Sequence, residues 1–380
     1  MKSFSELPLS ALLKSNLSKH GFEQPTPIQE LAIEPALAGR DMVATAQTGT
    51  GKTLAFVLPI IHHISAEAAL PAAAGQAGIR AVILSPTREL AIQISETFAK
   101  MAAGTGIRAA VAVGGLSERV QLQAIRKGAQ VLIATPGRLF DFLGRKLINL
   151  GHVRTLVLDE ADRMLDMGFL PTVTKIMAAM PAERQTLLFS ATIQTSVQHL
   201  VKKHVRNAVR VEAGDTTQPI SKIELHLYEV EQDCKLGLLE NMLRKEPGSF
   251  LVFARTKHGA DKLSTKLARQ GVKTAVIHGN RSQSQRTHAL RGFQEGDYRV
   301  LVATDVAARG IHVEGISHVV NYDLPQVPED FIHRVGRTGR AGASGTASTF
   351  ATRSERSQIA QIERKLESKL TRRAVLQSTN

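Results

Sequence analysis

Residues 41–61 read DMVATAQTGTGKTLAFVLPII, and this stretch decides the fold class. It contains a short apolar segment, a loop with glycines at 49 and 51, and an apolar segment long enough for a helix. The glycines let backbone N–H groups turn inward around a phosphate, and a helix N-terminus adds a partial positive charge. Lys52 and Thr53 have the side chains that bind phosphate oxygens and Mg²⁺ in P-loop proteins. The stretch therefore predicts a strand, a phosphate-binding loop and a helix.

The match to the general P-loop pattern is incomplete, because Ala46 stands where the pattern has its first glycine. A flexible Gly/Thr loop that happens to contain a lysine is the alternative interpretation. The apolar segments on both sides favour the phosphate-binding loop.

A second apolar run, at residues 156–163, reads LVLDEADR and ends in three carboxylates within four residues. Taken alone, this pattern indicates a core strand followed by a helix cap. In P-loop enzymes, however, the acid at the end of a second strand holds Mg²⁺. Asp159 is then the predicted metal ligand, and Glu160 is the carboxylate that polarises the attacking water.

Short apolar segments alternate with helix-period segments along the whole chain. Segments such as RAVILS, QVLIAT and QTLLFS in the first half, and GSFLVFA and YRVLVAT in the second, are apolar on both faces. This alternation predicts parallel sheets covered by helices. We therefore expect an α/β fold with two domains, residues 1–213 and 221–380, joined by a polar linker at 214–220. A short basic helix is expected near the end of the second domain.

Composition narrows the class of protein. The chain has 380 residues, 43% of them hydrophobic, a net charge of +14 and one cysteine, Cys234. No apolar run approaches the ~18 residues of a membrane span, so no membrane association is expected. One cysteine excludes an internal disulfide and fits a reducing compartment, which predicts a cytoplasmic protein. The basic excess is spread over both halves and favours a nucleic-acid partner, with a merely basic enzyme as the alternative.

The sequence DEAD at 159–162, after AQTGTGKT at 46–53, resembles the DEAD-box family of ATP-dependent RNA helicases. Other motifs of that family follow in order from Phe4 to Phe350, and the segments HGNRSQSQR and PEDFIHRVGRTGRAG resemble its bacterial RhlE-like branch. The resemblance implies two tandem RecA-like domains of the P-loop NTPase class in helicase superfamily 2. It also implies ATP and Mg²⁺ as cofactors, and RNA as a partner that is bound through its backbone without sequence preference.

The resemblance also assigns site residues. The residues expected to act in catalysis are Lys52, Asp159, Glu160, Arg337 and Arg340, with Thr53 and Asp159 on the metal. Those expected to bind the nucleotide are Phe22, Thr26, Gln29, Gln47, Thr48, Gly49, Thr50, Gly51, Lys52, Thr53 and Asp305. Those expected to bind RNA are Pro86, Thr87, Arg88, Gly115, Thr135, Pro136, Arg138, Arg255, Thr256, Gln283, Arg286 and Thr304. Coupling between the domains is assigned to Asp162, Ser190, Thr192 and Arg334.

The segment HRVGRTGR at 333–340 has arginines at every third position. On a helical turn this spacing would place Arg334, Arg337 and Arg340 on roughly one face. By resemblance, Arg337 and Arg340 meet the γ-phosphate, and Arg334 contacts the acids of the first domain. One position departs from the family, because His312 stands where an aspartate usually contacts the ribose.

The predicted function is RNA-stimulated ATP hydrolysis that drives domain closure and the local, non-processive unwinding of short RNA duplexes. An ATP-dependent RNA clamp and a P-loop transporter or assembly ATPase are the alternatives. A monomeric core is expected, with ribosome-assembly or RNA-decay proteins as candidate partners. The basic residues between Arg364 and Arg373 form either a solvated face or an extension of the RNA surface.

Overall fold

Two separate seven-stranded sheets organise the chain in this computed structural model. The structure describes residues 3–46, 49–68, 78–193, 195–213, 223–308, 315–339 and 345–374. The chain divides into unit 1, Met1–Thr216, and unit 2, Thr217–Asn380. The linker predicted at 214–220 lies outside the described residues.

Unit 1 is built from alternating strands and helices. Its strands are β1 (Met42–Thr45), β2 (Ala81–Leu84), β3 (Ala109–Ala112), β4 (Val131–Ala134), β5 (Thr155–Leu158), β6 (Gln185–Ser190) and β7 (Val209–Glu212). Its helices are α1 (Ala11–Lys19), α2 (Pro27–Leu37), α3 (Lys52–Ala68), α4 (Arg88–Met101), α5 (Glu118–Arg126), α6 (Pro136–Gly144), α7 (Ala161–Asp166), α8 (Leu170–Ala178) and α9 (Thr195–His204), and a 3-10 helix spans Phe4–Glu6.

Unit 2 repeats the alternation. Its strands are β8 (Ile223–Glu229), β9 (Phe250–Phe253), β10 (Thr274–Ile277), β11 (Val300–Ala303), β12 (His318–Asn321), β13 (Gly345–Ala351) and β14 (Thr371–Arg373). Its helices are α10 (Lys235–Lys245), α11 (Lys257–Arg269), α12 (Gln283–Gln294), α13 (Asp305–Ala308), α14 (Pro328–Val335) and α15 (Arg356–Leu366), and a 3-10 helix spans Arg353–Glu355.

The two sheets have the same topology. The strand order is β3-β4-β2-β5-β6-β1-β7 in unit 1 and β10-β11-β9-β12-β13-β8-β14 in unit 2, so corresponding strands occupy corresponding places. Every strand pair in the described residues is parallel. All carboxyl ends of a sheet therefore point to one edge, where open α/β sheets bind their ligands.

Each sheet is buried on both faces. In β1, Met42 and Ala44 pack into one apolar cluster of unit 1, and Val43, between them, packs into the other. In unit 2, Leu251 and Val252 of β9 likewise belong to different clusters. Side chains alternate across a strand, so a strand covered on both faces needs an uninterrupted apolar run. The predicted strands are confirmed as β1–β6 and β8–β12. Strands whose residues are all buried, such as β1, β2 and β9, have such runs.

The predictions miss three strands, β7, β13 and β14. β7 reads VRVE and is exposed on one side at the sheet edge, and β13 reads GTASTFA, so neither has the apolar run of a central strand. The prediction of a basic helix near the end of the second domain is wrong in part. α15 ends at Leu366, next to Glu367 in the left-handed backbone region (φ 51°), and Arg372 and Arg373 lie in β14, paired with β8. No described helix is both long and apolar enough to cross a membrane.

Candidate functional site

The motifs of unit 1 form two groups along the edge of its sheet at which the strands have their carboxyl ends. The phosphate loop follows β1, the acids at 159–162 follow β5, and Ser190 ends β6; these three strands are neighbours. The segments PTREL, Gly114-Gly115 and TPGR follow β2, β3 and β4, which form the other half of the edge. Residues predicted to bind nucleotide and residues predicted to bind RNA therefore occupy adjacent halves of one edge.

The phosphate loop leads into α3, whose first residue is Lys52. Gly49 and Gly51 have φ values of 89° and 87°, which side-chain-bearing residues rarely adopt. The Lys52 ammonium is buried and donates to the Ala46 carbonyl at 3.0 Å. Thr53 follows it, half-buried. Gln47 and Thr48, also predicted to bind nucleotide, lie outside the described residues.

The start of α2 packs against this loop. Thr26 Oγ1 donates to the Thr50 carbonyl at 2.7 Å, and Gln29 Nε2 donates to the Gly51 carbonyl at 2.9 Å. A Cβ on Gly51 would lie 2.5 Å from Gln29 Nε2, so this glycine allows the contact as well as the turn. Phe22 is half-buried against the core. The segment GFEQPTPIQ therefore supports the loop, and the Gln29 amide keeps hydrogen-bonding capacity for a ligand.

Asp159 lies directly after β5 and is almost fully buried. Burial raises the pKa of its carboxyl to about 7. The positive charge of Lys52 opposes this shift, whereas the negative charges of Glu160 and Asp162 add to it. A buried carboxyl with this pKa lacks enough positive charge around it, which is the environment that a bound cation would complete.

Glu160 is the N-cap residue of α7, but its side chain does not cap the helix. The backbone is left-handed (φ 51°, ψ 55°), and the carboxylate accepts a hydrogen bond from Arg163 Nη1 at 2.7 Å. Both side chains are buried, with exposed fractions of 6% and 8%. Arg163 is not among the residues predicted from the sequence. The available signal is an acid and a base three residues apart at a helix start.

Asp162 is held by the segment that follows β6. Its Oδ2 accepts from the N–H groups of Ala191 and Thr192 at 3.0 and 2.8 Å, and from the Thr192 hydroxyl at 3.1 Å. In return, Asp162 N–H donates to Ser190 Oγ at 3.2 Å. The residues assigned to coupling within unit 1 therefore contact one another directly. The three neighbouring acids have three different environments.

The donors at this edge fit Mg²⁺. Mg²⁺ prefers oxygen ligands and is usually held by one or two carboxylates together with substrate phosphates. Asp159 supplies a buried carboxylate, and Thr53 supplies a hydroxyl beside the phosphate loop. Within the described ranges, no group of three or more His, Cys, Asp or Glu side chains is arranged to hold a metal ion.

In unit 1, two predicted RNA-binding segments meet. The Arg88 guanidinium lies against Gly114 and Gly115, and a Cβ on Gly115 would overlap Arg88 Nη1. Thr87 caps α4 by accepting from Leu90 N–H, and Pro86 before it is buried. The remaining predicted residues, at the start of α6, are Thr135, Pro136 and Arg138. Arg138 lies over the ring of Phe142 with 5.3 Å to its centroid.

In unit 2, the predicted RNA-binding residues follow β9, β10 and β11, which are the counterparts of β2, β3 and β4. Arg255 is half-exposed and binds Glu355 at 2.9 Å, and Thr256 caps α11. Three others are mostly buried, with exposed fractions of 5%, 8% and 7%: Gln283, Arg286 and Thr304.

The structure gives Arg334 partners that the sequence does not predict. Its guanidinium donates to both carboxylate oxygens of Asp305 and to the Asp323 carbonyl, the latter at 2.7 Å. It lies 4.8 Å from the centroid of the Phe253 ring. A buried guanidinium has five N–H groups to satisfy, and residues at the ends of β11 and β12 supply the acceptors around it. Within unit 2 these contacts fix the position of the guanidinium, and the predicted contact with the acids of the first domain stays a prediction.

The two described arginines of HRVGRTGR, Arg334 and Arg337, lie on either side of the end of α14, and the shared face predicted for the three arginines stays a prediction. α14 ends at Val335, and Arg337 lies in the turn beyond it, where Nε donates to the His333 carbonyl at 3.1 Å. Gly336 N–H donates to the Ile332 carbonyl at 3.0 Å and Arg337 N–H to the Arg334 carbonyl at 3.1 Å, so a hydrogen-bonded turn continues beyond the helix. Arg340 and His312 lie outside the described residues.

A separate ion cluster lies at the carboxyl edge of unit 2. Lys235, the first residue of α10, has no exposed surface and donates to the Tyr322 carbonyl at 3.0 Å. Its ammonium lies 3.7 Å from Asp323 and 3.9 Å from Glu355. Burial alone would raise the pKa of Glu355, but the Thr352 N–H and the charges of Lys235 and Arg255 lower it.

Comparisons with known proteins agree with this geometry. The DEAD/DEAH box helicase family matches residues 26–200, and the helicase conserved C-terminal domain matches residues 234–342. ATP-dependent RNA helicase CshA of Listeria monocytogenes is 42% identical over 88% of this chain and 63% of its own length. DEAD-box ATP-dependent RNA helicase CshA of Geobacillus kaustophilus is 41% identical over 88% of this chain and 70% of its own.

A solved structure, S. cerevisiae Dbp5 bound to RNA and ADP BeF3, is similar with a TM-score of 0.85 and 34% identity, over 98% of this chain and 96% of that one. The two parallel sheets and this likeness confirm the predicted pair of RecA-like domains. The RhlE-like assignment stays a prediction. The chain spans less than two thirds of the first relative, yet both family matches and the second relative, at 70% coverage, agree on one conclusion: this chain belongs to the DEAD-box RNA helicase family.

Proposed function

We propose that this chain is an ATP-dependent RNA helicase that hydrolyses ATP in response to RNA and opens short RNA duplexes locally. One observation carries the proposal. The phosphate loop and the acids lie on neighbouring strands β1, β5 and β6, and the predicted RNA-binding segments lie on the adjacent strands β2, β3 and β4. A nucleotide and an RNA backbone would therefore occupy one continuous edge, at the place where open α/β sheets bind ligands.

The nucleotide is held by groups at the ends of β1 and β5. Lys52 binds the β- and γ-phosphates, and Thr53 and Asp159 hold Mg²⁺, which when bound neutralises charge on the phosphate oxygens. Gln29 recognises the edge of the adenine, and Phe22 packs on its ring. Arg337 and Arg340 add positive charge at the γ-phosphate.

In the chemical step, the oxygen of a water molecule attacks the γ-phosphorus. The bond between that phosphorus and the oxygen bridging to the β-phosphate breaks, and its electron pair leaves with ADP. Glu160 orients the water and accepts its proton, so the products are ADP and inorganic phosphate.

RNA binds through its backbone. The proposed contacts are N–H groups at helix starts, threonine hydroxyls and arginines, which bind phosphate oxygens without reading bases. Dbp5, the similar solved structure, is bound to both RNA and ADP BeF3. We extend this to the present chain, with RNA and ATP together favouring closure of domains 1–213 and 221–380. Asp162 and the segment 190–192 respond to the nucleotide. A cytoplasmic, monomeric core is part of the proposal.

Two assays on the same preparation test the function. ATP hydrolysis is measured with and without single-stranded RNA, and displacement of a short labelled RNA strand is measured with ATP, with a non-hydrolysable analogue, and on a DNA duplex of equal sequence. We expect RNA to stimulate hydrolysis and ATP to permit displacement of RNA, and Glu160→Gln to lower stimulated hydrolysis about 10²- to 10⁴-fold, to a residual rate. RNA-stimulated hydrolysis without displacement would identify an RNA clamp instead, and intact hydrolysis in Glu160→Gln would refute the role of Glu160.

A further inference from the structure

The contact between Glu160 and Arg163 needs an explanation beyond helix formation. Glu160 has a left-handed backbone, which costs an L-residue roughly 1–2 kcal/mol and persists only where neighbouring groups fix it. Its N–H donates to Asp159 Oδ1 at 3.1 Å, and its carbonyl accepts from Met164 N–H at 3.1 Å. The backbone is thus fixed on both sides, and Arg163 fixes the side chain.

The geometry of this pair is that of a charge-assisted hydrogen bond. The 2.7 Å separation between Arg163 Nη1 and Glu160 Oε2 is within the range for such bonds. Both groups are buried, so the contact is not screened as a surface ion pair would be. A glutamate has three rotatable side-chain bonds, and an unrestrained carboxylate would sample several orientations.

We propose that Arg163 is a positioning residue for hydrolysis: it holds the Glu160 carboxylate in the orientation from which it meets the attacking water. The inference rests on the proposed function, because it assigns the purpose of the contact through Glu160. Arg163 does not itself touch the reacting atoms.

A double-mutant cycle tests the proposal. Arg163→Met and Arg163→Lys are made in the wild-type and in the Glu160→Gln background, and single-turnover hydrolysis is measured with saturating RNA. Arg80→Met is the matched control, because Arg80 also binds a glutamate, Glu67, in unit 1 and is partly buried. Affinities for RNA and for a fluorescent ATP analogue, and the thermal unfolding midpoint, are measured for every variant.

We expect Arg163→Met to lower the rate of hydrolysis about 10- to 100-fold, the scale on which a misplaced group loses catalysis, with affinities for ATP and RNA changed less than about twofold. Arg163→Lys should recover part of the loss, since it keeps a charged donor. In the Glu160→Gln background the loss should shrink to less than about twofold, because the two residues act as a unit.

Equal losses in both backgrounds, or an Arg163→Met rate equal to that of Arg80→Met, would overturn the proposal. If Arg163→Met is too unstable to assay, Arg163→Lys is taken through the same cycle and decides the question by the same criterion. Failure of the proposed function gives a different result. In that case the wild type lacks RNA-stimulated hydrolysis, or Glu160→Gln retains it, whatever the behaviour of Arg163.

Discussion

At the scale of single residues, the acids at 159–162 differ in what surrounds them. Asp159 is buried near the charge of Lys52, Glu160 is bound by Arg163, and Asp162 accepts from the N–H groups of residues 191 and 192. A sequence shows only that three carboxylates are close together. Their separate partners come from the helix that starts there and from the neighbouring strand β6.

Asp159 should make metal-free stability depend on pH. Its pKa is about 7 in the folded chain and about 3.9 in an unfolded one, so the folded chain binds this proton more tightly. The contribution of the group to stability is present below pH 4 and is lost as pH rises towards 7. Asparagine does not titrate, so Asp159→Asn lacks this pH dependence. Between pH 4 and pH 8 we expect the free energy of unfolding of Asp159→Asn to rise by roughly 2–4 kcal/mol relative to that of the wild type.

The measurement is the thermal or denaturant midpoint of both proteins in EDTA across that range. Asp297→Asn, at an exposed aspartate, is the control and should differ from wild type by a constant amount. If the difference in unfolding midpoint between Asp159→Asn and wild type does not increase with pH, burial does not raise the pKa of this carboxyl.

At the scale of elements, Asp162 joins the start of α7 to the segment after β6. Asp162→Ala removes the acceptor of two N–H groups and a hydroxyl, on residues that are partly exposed to water. We expect a loss of about 1 kcal/mol in the free energy of unfolding and faster hydrogen exchange at Ala191 and Thr192. Asp166→Ala, an exposed aspartate of the same helix, should leave exchange at those amides unchanged. Unchanged exchange in Asp162→Ala would mean that these bonds do not hold the segment.

Lys235 joins α10 to the end of β12 and to the 3-10 helix at Arg353–Glu355. Lys235→Met removes the cation from between two partly buried carboxylates, and we expect it to cost about 3 kcal/mol in the free energy of unfolding. Adding Glu355→Gln removes one of those negative charges and should restore part of the loss. Chemical denaturation of the two single variants and the double variant measures this. Strictly additive losses would show that the two side chains do not interact.

The elements also show what can be predicted from sequence. Central strands such as β4 and β9 are covered on both faces and read as apolar runs, so they are recognisable. The edge strand β14 reads TRR and is exposed, because pairing with β8 rather than burial makes it a strand. Residue spacing predicts a helical face for Arg334 and Arg337, but it does not show that α14 ends between them.

Some residues of the candidate site can likewise be predicted from the sequence, and others cannot. The motifs at the phosphate loop and at 159–162 depend on local geometry and are recognisable from a few residues. The pair of Glu160 and Arg163 is also local, three residues apart, whereas the partners of Arg334 depend on which strand ends lie side by side. That information is in the sheet order, which no single motif contains.

At the scale of the whole molecule, the net charge of +14 should make RNA binding depend on salt. Each phosphate contact to a single strand releases counterions and adds about −0.7 to the slope of log K against log salt. We expect Arg88→Gln to weaken binding on all RNA sequences and to reduce the slope by about 0.7. Arg40→Gln is the control, because Arg40 precedes β1, at the opposite edge of the sheet, and is exposed. Affinity that does not change between 50 and 200 mM salt, about the range in which such contacts weaken, would contradict backbone binding.

Because the two sheets have the same strand order, residues that follow corresponding strands can be compared. Lys52 and Lys235 are each the first residue of the helix that follows the corresponding strand, β1 or β8. Asp159 and Asp323 follow the corresponding strands β5 and β12. Duplication of one ancestral unit would leave these pairs at matching places. In unit 1 the glycine loop keeps the lysine available to a nucleotide, whereas in unit 2 Asp323 and Glu355 surround it. At the place where the first sheet presents its phosphate loop, the second sheet therefore has an internal ion cluster that belongs to its own framework.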